Sequence, residues 1–265
     1  MCLAGPGPAR EAELSEFIEA SRSVDVVLIG EVHDNPGHHR VQAEIVAELG
    51  PGALVFEMIP QALEDEANAL RADNASREEL AAALEWEARG WPDFNMYAPI
   101  FEAAPDAQLF GAGRDRETVR AAMRDGAAAA FGPEAALYGL GRPLPAEEQD
   151  RREAEMAAAH CDTLPEHLLP DMVEAQRLRD AALADAALLA RTLTGEDAPV
   201  VVIAGNGHAD RRHGVPALIA QADPEVTVAV LGQGEGGSAP DGAFDVQVSA
   251  PAPDRGDPCA TLRDR

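Results

Sequence analysis

At 265 residues with 46% hydrophobic residues, the chain can bury a sizeable core, and global disorder is excluded. A net charge of −26 leaves no basic stripe to displace phosphate counterions, which excludes a nucleic-acid partner. All 21 basic residues are arginine, so a Schiff-base lysine and a phosphate-loop lysine are excluded as well.

Cys2, Cys161 and Cys259 lie far apart with no CxxC spacing. That spacing predicts neither a disulfide framework, a zinc knuckle nor covalent haem. The amino end has no basic and then apolar leader, and no transmembrane segment follows. As it stands the chain reads as cytoplasmic. Cys2 leaves open a membrane-anchored or periplasmic lipoprotein whose signal has been removed.

Residues 11–22 read as a short amphipathic helix. "VDVVLIG" (24–30) is a continuous apolar run, the mark of a strand covered on both faces. Asn35 and Pro36 then fit an N-cap and first helical position, and Val41, Ile45 and Leu49 repeat at helical spacing up to Gly50. "ALVFEM" (53–58) completes a βαβ unit, with its two strands expected as parallel neighbours. Residues 60–104 are helical in pattern, and 107–114 form a third strand. A helix over 115–130 precedes a linker or irregular cap at 133–150, and a long helix covers about 170–194. Strands follow at 199–208 and 226–232 around a helix at 214–222, with a weaker edge strand at 244–248.

The expected fold is α/β, a mostly parallel sheet flanked by helices with a helical insertion or cap. It is read as one domain (1–265), with core segments about 24–59, 105–131 and 197–248. The helical insertions are about 60–104 and 132–195, and a Pro/Asp/Gly-rich tail covers 249–265.

Ligands of open parallel sheets bind at the carboxyl edge of the strands. Here the first strand ends in Glu31, His33, His38 and His39, and the second in Glu57. The third ends in Arg114, and the fourth in Asn206 and His208. Glu and His together suit general acid–base or metal work. The metal set they suggest is Glu31, His33 and His208, although the spacing matches no standard zinc pattern. His38 and His39 fall in a first helical turn, which favours anions. Five of the eleven aromatic residues, Trp86, Trp91, Phe94, Tyr97 and Phe101, cluster within 16 positions. They are read either as the core of a cap or as a flat wall for a planar ligand. Tyr97 or Tyr138 would then be in reach of an iron. Gln176, Arg179 and Asp180 share a helical stripe, read as solvated or as a polar second layer behind the site. His160, His167 and the "DPCA" segment carry no assigned role.

"VVLIGEVHDNPGHHRVQAEIV", "LVFEM", "GWPDFNMYAPIFEAA", "AHCDTLPEHLLPDMVEAQRLRDAALA" and "VVVIAGNGHADRRHGVP" occur in that order. Together they resemble the ChaN-like haem-binding family and its wider group with Tiki/TraB-type proteins and erythromycin-esterase-like hydrolases. The resemblance implies an α/β core with a helical insertion. It also implies haem bound at a homodimer interface through tyrosine, with histidine nearby. For the wider group it implies a hydrolytic or metal site mapping onto Glu31, His33, Glu57 and His208, with Arg114 holding an anion.

Two functions therefore stay open. One is a haem or tetrapyrrole carrier in iron uptake or handling, with His38, His39, Tyr97, Trp91, Arg114 and Tyr138 around the ligand. The other is an esterase- or peptidase-like hydrolase using Glu31, His33, Glu57, His208 and Arg114, with a divalent metal as an optional partner.

Overall fold

A computed structural model describes residues 8–195, 197–256 and 259–260. In chain order the elements begin with α1 (Pro8–Ser21), β1 (Val26–Glu31), α2 (Pro36–Leu49) and β2 (Ala53–Pro60). Then come α3 (Glu64–Ala72), α4 (Arg77–Ala83), α5 (Phe94–Ala103), β3 (Gln108–Gly113), α6 (Arg116–Asp125) and α7 (Ala127–Phe131). The second half holds α8 (Ala146–Ala159), α9 (Leu169–Thr194), β4 (Val200–Gly205), α10 (Asn206–Ala209), α11 (Val215–Ala222), β5 (Val228–Glu235) and β6 (Val246–Ala250).

Among the described residues the six strands form one sheet in the order β3-β2-β4-β1-β5-β6, and every pairing is parallel. Alternate residues of each strand serve opposite faces. Val27, Ile29, Leu54, Phe56 and Ile203 join one core with α1, α2 and α5. Val26, Leu28, Val55, Val202 and Val230 join the other with α7, α9 and α11. All six residues of β1 are buried, which is why that run lacks polar alternation. The ring of Phe56 stacks on Phe101 at 4.6 Å, which seats α5 on the sheet.

The helix start after β1 forms as its sequence predicts. Asn35 Oδ1 accepts from the Gly37 amide at 2.8 Å, and Gly50 ends α2 in the left-handed region at φ 54°. Such a cap contributes about 1 kcal/mol.

Four local expectations are corrected. β1 and β2 are not neighbours, because β4 pairs with both and lies between them. Its "VVVIAG" run is buried throughout, which suits the centre of a two-faced sheet. The 133–150 linker is only partly irregular, since α8 begins at Ala146 and runs to Ala159. The fourth strand stops at Gly205, so Asn206 and His208 stand on the single turn of α10. Finally, Cys161 and Cys259 form a disulfide across a separation of 98 residues. Sequence distance hid that pair, because the fold returns the tail to the end of α8. A cross-link closing so long a loop contributes about 2–4 kcal/mol.

Candidate functional site at the sheet edge

β1, β2 and β4 are consecutive in space, so their carboxyl ends bring Glu31, Glu57 and His208 together. His33 lies two residues beyond Glu31. Asp180 reaches the same place from α9.

The result is an alternating row of acid and imidazole. Asp180 Oδ1 lies 2.6 Å from His208 Nδ1, and His208 Nε2 lies 3.3 Å from Glu57 Oε1. Glu57 Oε2 lies 3.8 Å from His33 Nε2, and His33 Nδ1 donates to Glu31 Oε1 at 2.7 Å. Each histidine is therefore clamped at Nδ1 by one carboxylate and turns Nε2 toward Glu57. Gln176 Nε2 adds a contact to His208 Nδ1 at 3.0 Å.

Glu31 is fully buried and held from several sides. Tyr97 donates its hydroxyl to Oε1 at 2.6 Å, and Gln42 donates to Oε2 at 2.7 Å. Burial alone would raise its carboxyl. The bonds from His33 and His39, with their charge, hold it well below the usual carboxylate range instead. Glu57 also resists burial, through the charges of His208 and His33 and a bond from the Gly205 amide, and is lowered to about 2. Burial would lower both histidines, yet the facing Glu57 and the clamping carboxylates raise His33 to about 9 and His208 to about 10. His33 is the accessible member, with its side chain 34% exposed, against 7% for His208.

Gly205 faces the focus of these donors. A Cβ there would stand 3.2 Å from His33 Nε2 and 3.6 Å from Glu57 Oε2. The missing side chain keeps this position open beside His33 and Glu57.

Several expected site residues do other work. His38 is fully buried, accepts from the Val32 amide at Nδ1 (2.9 Å) and donates from Nε2 to Gly234 O (3.0 Å). Burial keeps it neutral, with its pKa lowered. His39 is buried too and donates to His33 O at 2.8 Å; against burial, its bond to Glu31 raises it. The pair orders the β1–α2 loop and offers no ring nitrogen to a ligand. Tyr97 is fully buried against His39, and burial with the Glu31 charge pushes its hydroxyl far up. Tyr138 lies in the opposite core and donates to Asp185 at 2.9 Å, again raised by burial and that charge. Each phenol is thus engaged by a carboxylate. Arg114 stands at the end of edge strand β3, over the Phe131 ring at 5.5 Å, and joins none of the site's bonds among the described residues. Trp91 does border the site, edge-on to His33 with ring centroids 5.1 Å apart. The suggested metal set changes as well. Glu31 lies behind His33, so the carboxylate between the two histidines is Glu57.

Sequence reasoning placed Gln176, Arg179 and Asp180 on one stripe, solvated or forming a polar layer behind the site, and Gln176 and Asp180 do stand behind His208. The available signal was a carboxylate on the apolar side of α9, a position that needs a partner. Arg179 of that stripe does not join them, whereas Arg152 of α8 does, donating to Asp180 Oδ2 at 3.1 Å.

A cleft of about 860 Å³ runs beside the row, lined by Val32, Gln176, Asn206 and Gly207 on the site side and by α8 across from them. It also holds Glu155, Asp210 and His213, the grouping of potential metal ligands within 4.8 Å of one another among the described residues. There the Arg212 guanidinium already forks onto Asp210 and reaches Glu155, so the positive charge is in place.

An all-parallel sheet with clamped histidines and acids converging at its carboxyl edge defines an α/β protein whose candidate site lies at that edge. The chain belongs to the family described as haem-binding uptake, Tiki superfamily, ChaN, which matches residues 17–219. In structure it is similar to ChaN of Campylobacter jejuni, described with cofacial haem binding. That similarity has a TM-score of 0.64 at 21% identity and covers 84% of this chain and 87% of that one. It also resembles the type III effector HopBA1, at a TM-score of 0.51 and 13% identity over 91% and 94% of the two chains. These likenesses show the fold. No curated protein matches the sequence.

Proposed function

We propose that this chain is a divalent-metal-dependent hydrolase of esters or amides, with its centre at His33, Glu57 and His208. The observation that carries this reading is the double clamp. Both histidines have Nδ1 fixed by a buried carboxylate, Glu31 or Asp180, and both turn Nε2 toward Glu57. A carboxylate behind a ligating imidazole is the usual way to fix its tautomer and raise its basicity.

His33, Glu57 and His208, whose ligand atoms do not all lie within 4.8 Å of one another in this structure, would have to close on the ion, which would supply Lewis acidity and a water acidified toward neutral pH. The histidines would give up their Nε2 protons on loading and keep the Nδ1 bonds. Glu31 keeps its donors, so the histidine it holds stays oriented. Gln176, on the cleft wall beside His208, is the polar group that would meet a substrate, whereas both ends of the Asn206 amide are bonded to the Gln233 backbone.

A second reading, haem or another tetrapyrrole carried in iron handling, is favoured by the family and by the partly exposed Trp91 beside His33. In that reading the macrocycle lies against Trp91 at the surface, and its axial ligand is not a tyrosine.

One set of samples separates the two. Purified protein is assayed for bound metal, for turnover of an ester and peptide panel, and for a haemin Soret shift. The hydrolase reading expects one ion per chain and turnover that disappears in His33→Ala and Glu57→Ala. A saturating stoichiometric Soret shift, without metal-dependent turnover, would replace it with the tetrapyrrole reading.

A further inference from the structure

After Ala250 the tail crosses the carboxyl edge of the sheet. Asn35 Nδ2 donates to Pro251 O at 3.1 Å. Arg255 then forks onto Asp34, Nε to Oδ2 and Nη2 to Oδ1, both at 2.7 Å, and its Nη1 donates to Glu235 at 2.7 Å. Asn35 also donates to Glu235 at 2.6 Å, so loop, strand end and tail share one knot. Asp34 directly follows His33. Beyond the knot, Cys259 is bonded to Cys161, two residues past the cleft-lining Ala159 at the end of α8.

The tail is thus tied at two points, to Asp34 of the β1–α2 loop through Arg255 and to Cys161 just past the end of α8 through Cys259. Its cross-link is built on a special turn. Cys161 and Asp162 are successive non-glycine residues with φ of 59° and 53°, a conformation that L-residues adopt at a cost. Such backbone persists where the surroundings impose it, and it concentrates at switch regions. Both cysteines are partly exposed, within reach of a small thiol.

We propose that the Cys161–Cys259 disulfide is a redox latch that ties the tail to the end of α8 and, through Arg255, fixes the loop carrying His33. A dithiol opens it by exchange. One thiolate attacks a latch sulfur and releases the other cysteine as thiolate, and the second thiol then displaces the mixed disulfide. The protein gains two electrons and two protons as two thiols, and the dithiol leaves as its own disulfide. With the latch open, the tail keeps only the Arg255 knot, a solvent-accessible set of ion pairs that is weak alone. The His33 loop then loosens. The latch acts on the site proposed above, but its test needs neither metal nor turnover.

The test is hydrogen exchange on full-length protein, oxidised and treated with dithiothreitol, together with thiol counting after denaturation. The oxidised chain should show one free thiol, from Cys2, and the reduced chain three. Amides of residues 32–38 should exchange about tenfold faster on reduction, while those in the buried middle of α9 hold their rates. Cys259→Ser should exchange at the reduced rate with or without dithiothreitol. Arg255→Ala, which leaves the disulfide in place, should accelerate the same amides in oxidised protein. Three free thiols in protein kept under air would overturn the latch. So would identical exchange of residues 32–38 in both redox states, or an unaltered rate in Arg255→Ala.

Discussion

Asp180 in α9 and His208 in α10 are joined by a 2.6 Å bond between two buried side chains. The acid comes from the helical segment between β3 and β4, and the imidazole from the end of a central strand. The insertion thus completes the edge site as well as covering the sheet. Replacing Asp180 with Asn keeps the shape but removes the charge behind the imidazole. Metal affinity should fall roughly 10–100-fold, as measured by competition with a chromogenic chelator. Asp180→Ala should also destabilise the fold by about 3 kcal/mol, because it leaves Arg152, whose side chain is 6% exposed, with Glu148 at 3.8 Å as its remaining carboxylate.

The metal-free protein should be most stable near pH 6.5. His33 and His208 hold their protons to about 9 and about 10, against 6.5 when unfolded. Their contribution is complete below pH 6.5 and is lost as pH rises through those folded values. His38 and His213 are held neutral mainly by burial, so they weaken the fold below pH 6.5. Glu57, lowered to about 2 from 4.5, adds a loss as pH falls below 4.5. Urea denaturation in chelator at roughly pH 3.5, 5.5, 6.5 and 9.5 reads all three limbs, and His208→Gln should flatten the alkaline one. Stability that climbed between pH 7 and 9.5 would contradict this charge arrangement.

Tyr97→Phe removes a donor to the buried Glu31 carboxylate while keeping the ring packed on His39. The loss should be about 1.5–3 kcal/mol, the value of a hydrogen bond to a charged group. Any haemin absorbance should be unchanged, since this phenol is not offered to a ligand.

Gly205→Ala tests the space between the donors. The backbone at Gly205, φ −60° and ψ 150°, is open to alanine, so the strand should form normally. The added Cβ would stand 3.2 Å from His33 Nε2, and metal affinity should drop by at least about tenfold with little change in unfolding. Equal metal affinity in this variant would mean that the ion sits elsewhere.

Much of the architecture was legible in the sequence because the strands are uninterrupted apolar runs and the Asn35–Pro36 start has its own local chemistry. Glu31, His33, Glu57 and His208 were legible for a related reason, since polar residues after buried strands of a parallel sheet gather at one edge. What failed depended on spatial order. Nothing local shows that β4 lies between β1 and β2, or that β3 is at the margin, which carries Arg114 away from the cluster. The reading of Tyr97 and its neighbours as core is borne out, while the bond from its hydroxyl could not be read because the buried partner, Glu31, lies 66 residues earlier. The Cys161–Cys259 pair was invisible for the same reason.

The central claim is that His33, Glu57 and His208 hold one divalent ion. Cobalt(II) titration of chelator-stripped protein, followed by its visible ligand-field bands, tests it most directly. The account predicts saturation at one ion per chain in the wild type, and binding weakened at least about 100-fold in both Glu57→Gln and His208→Gln. A wild type that binds no stoichiometric cobalt, or variants that bind as tightly as the wild type, would contradict it.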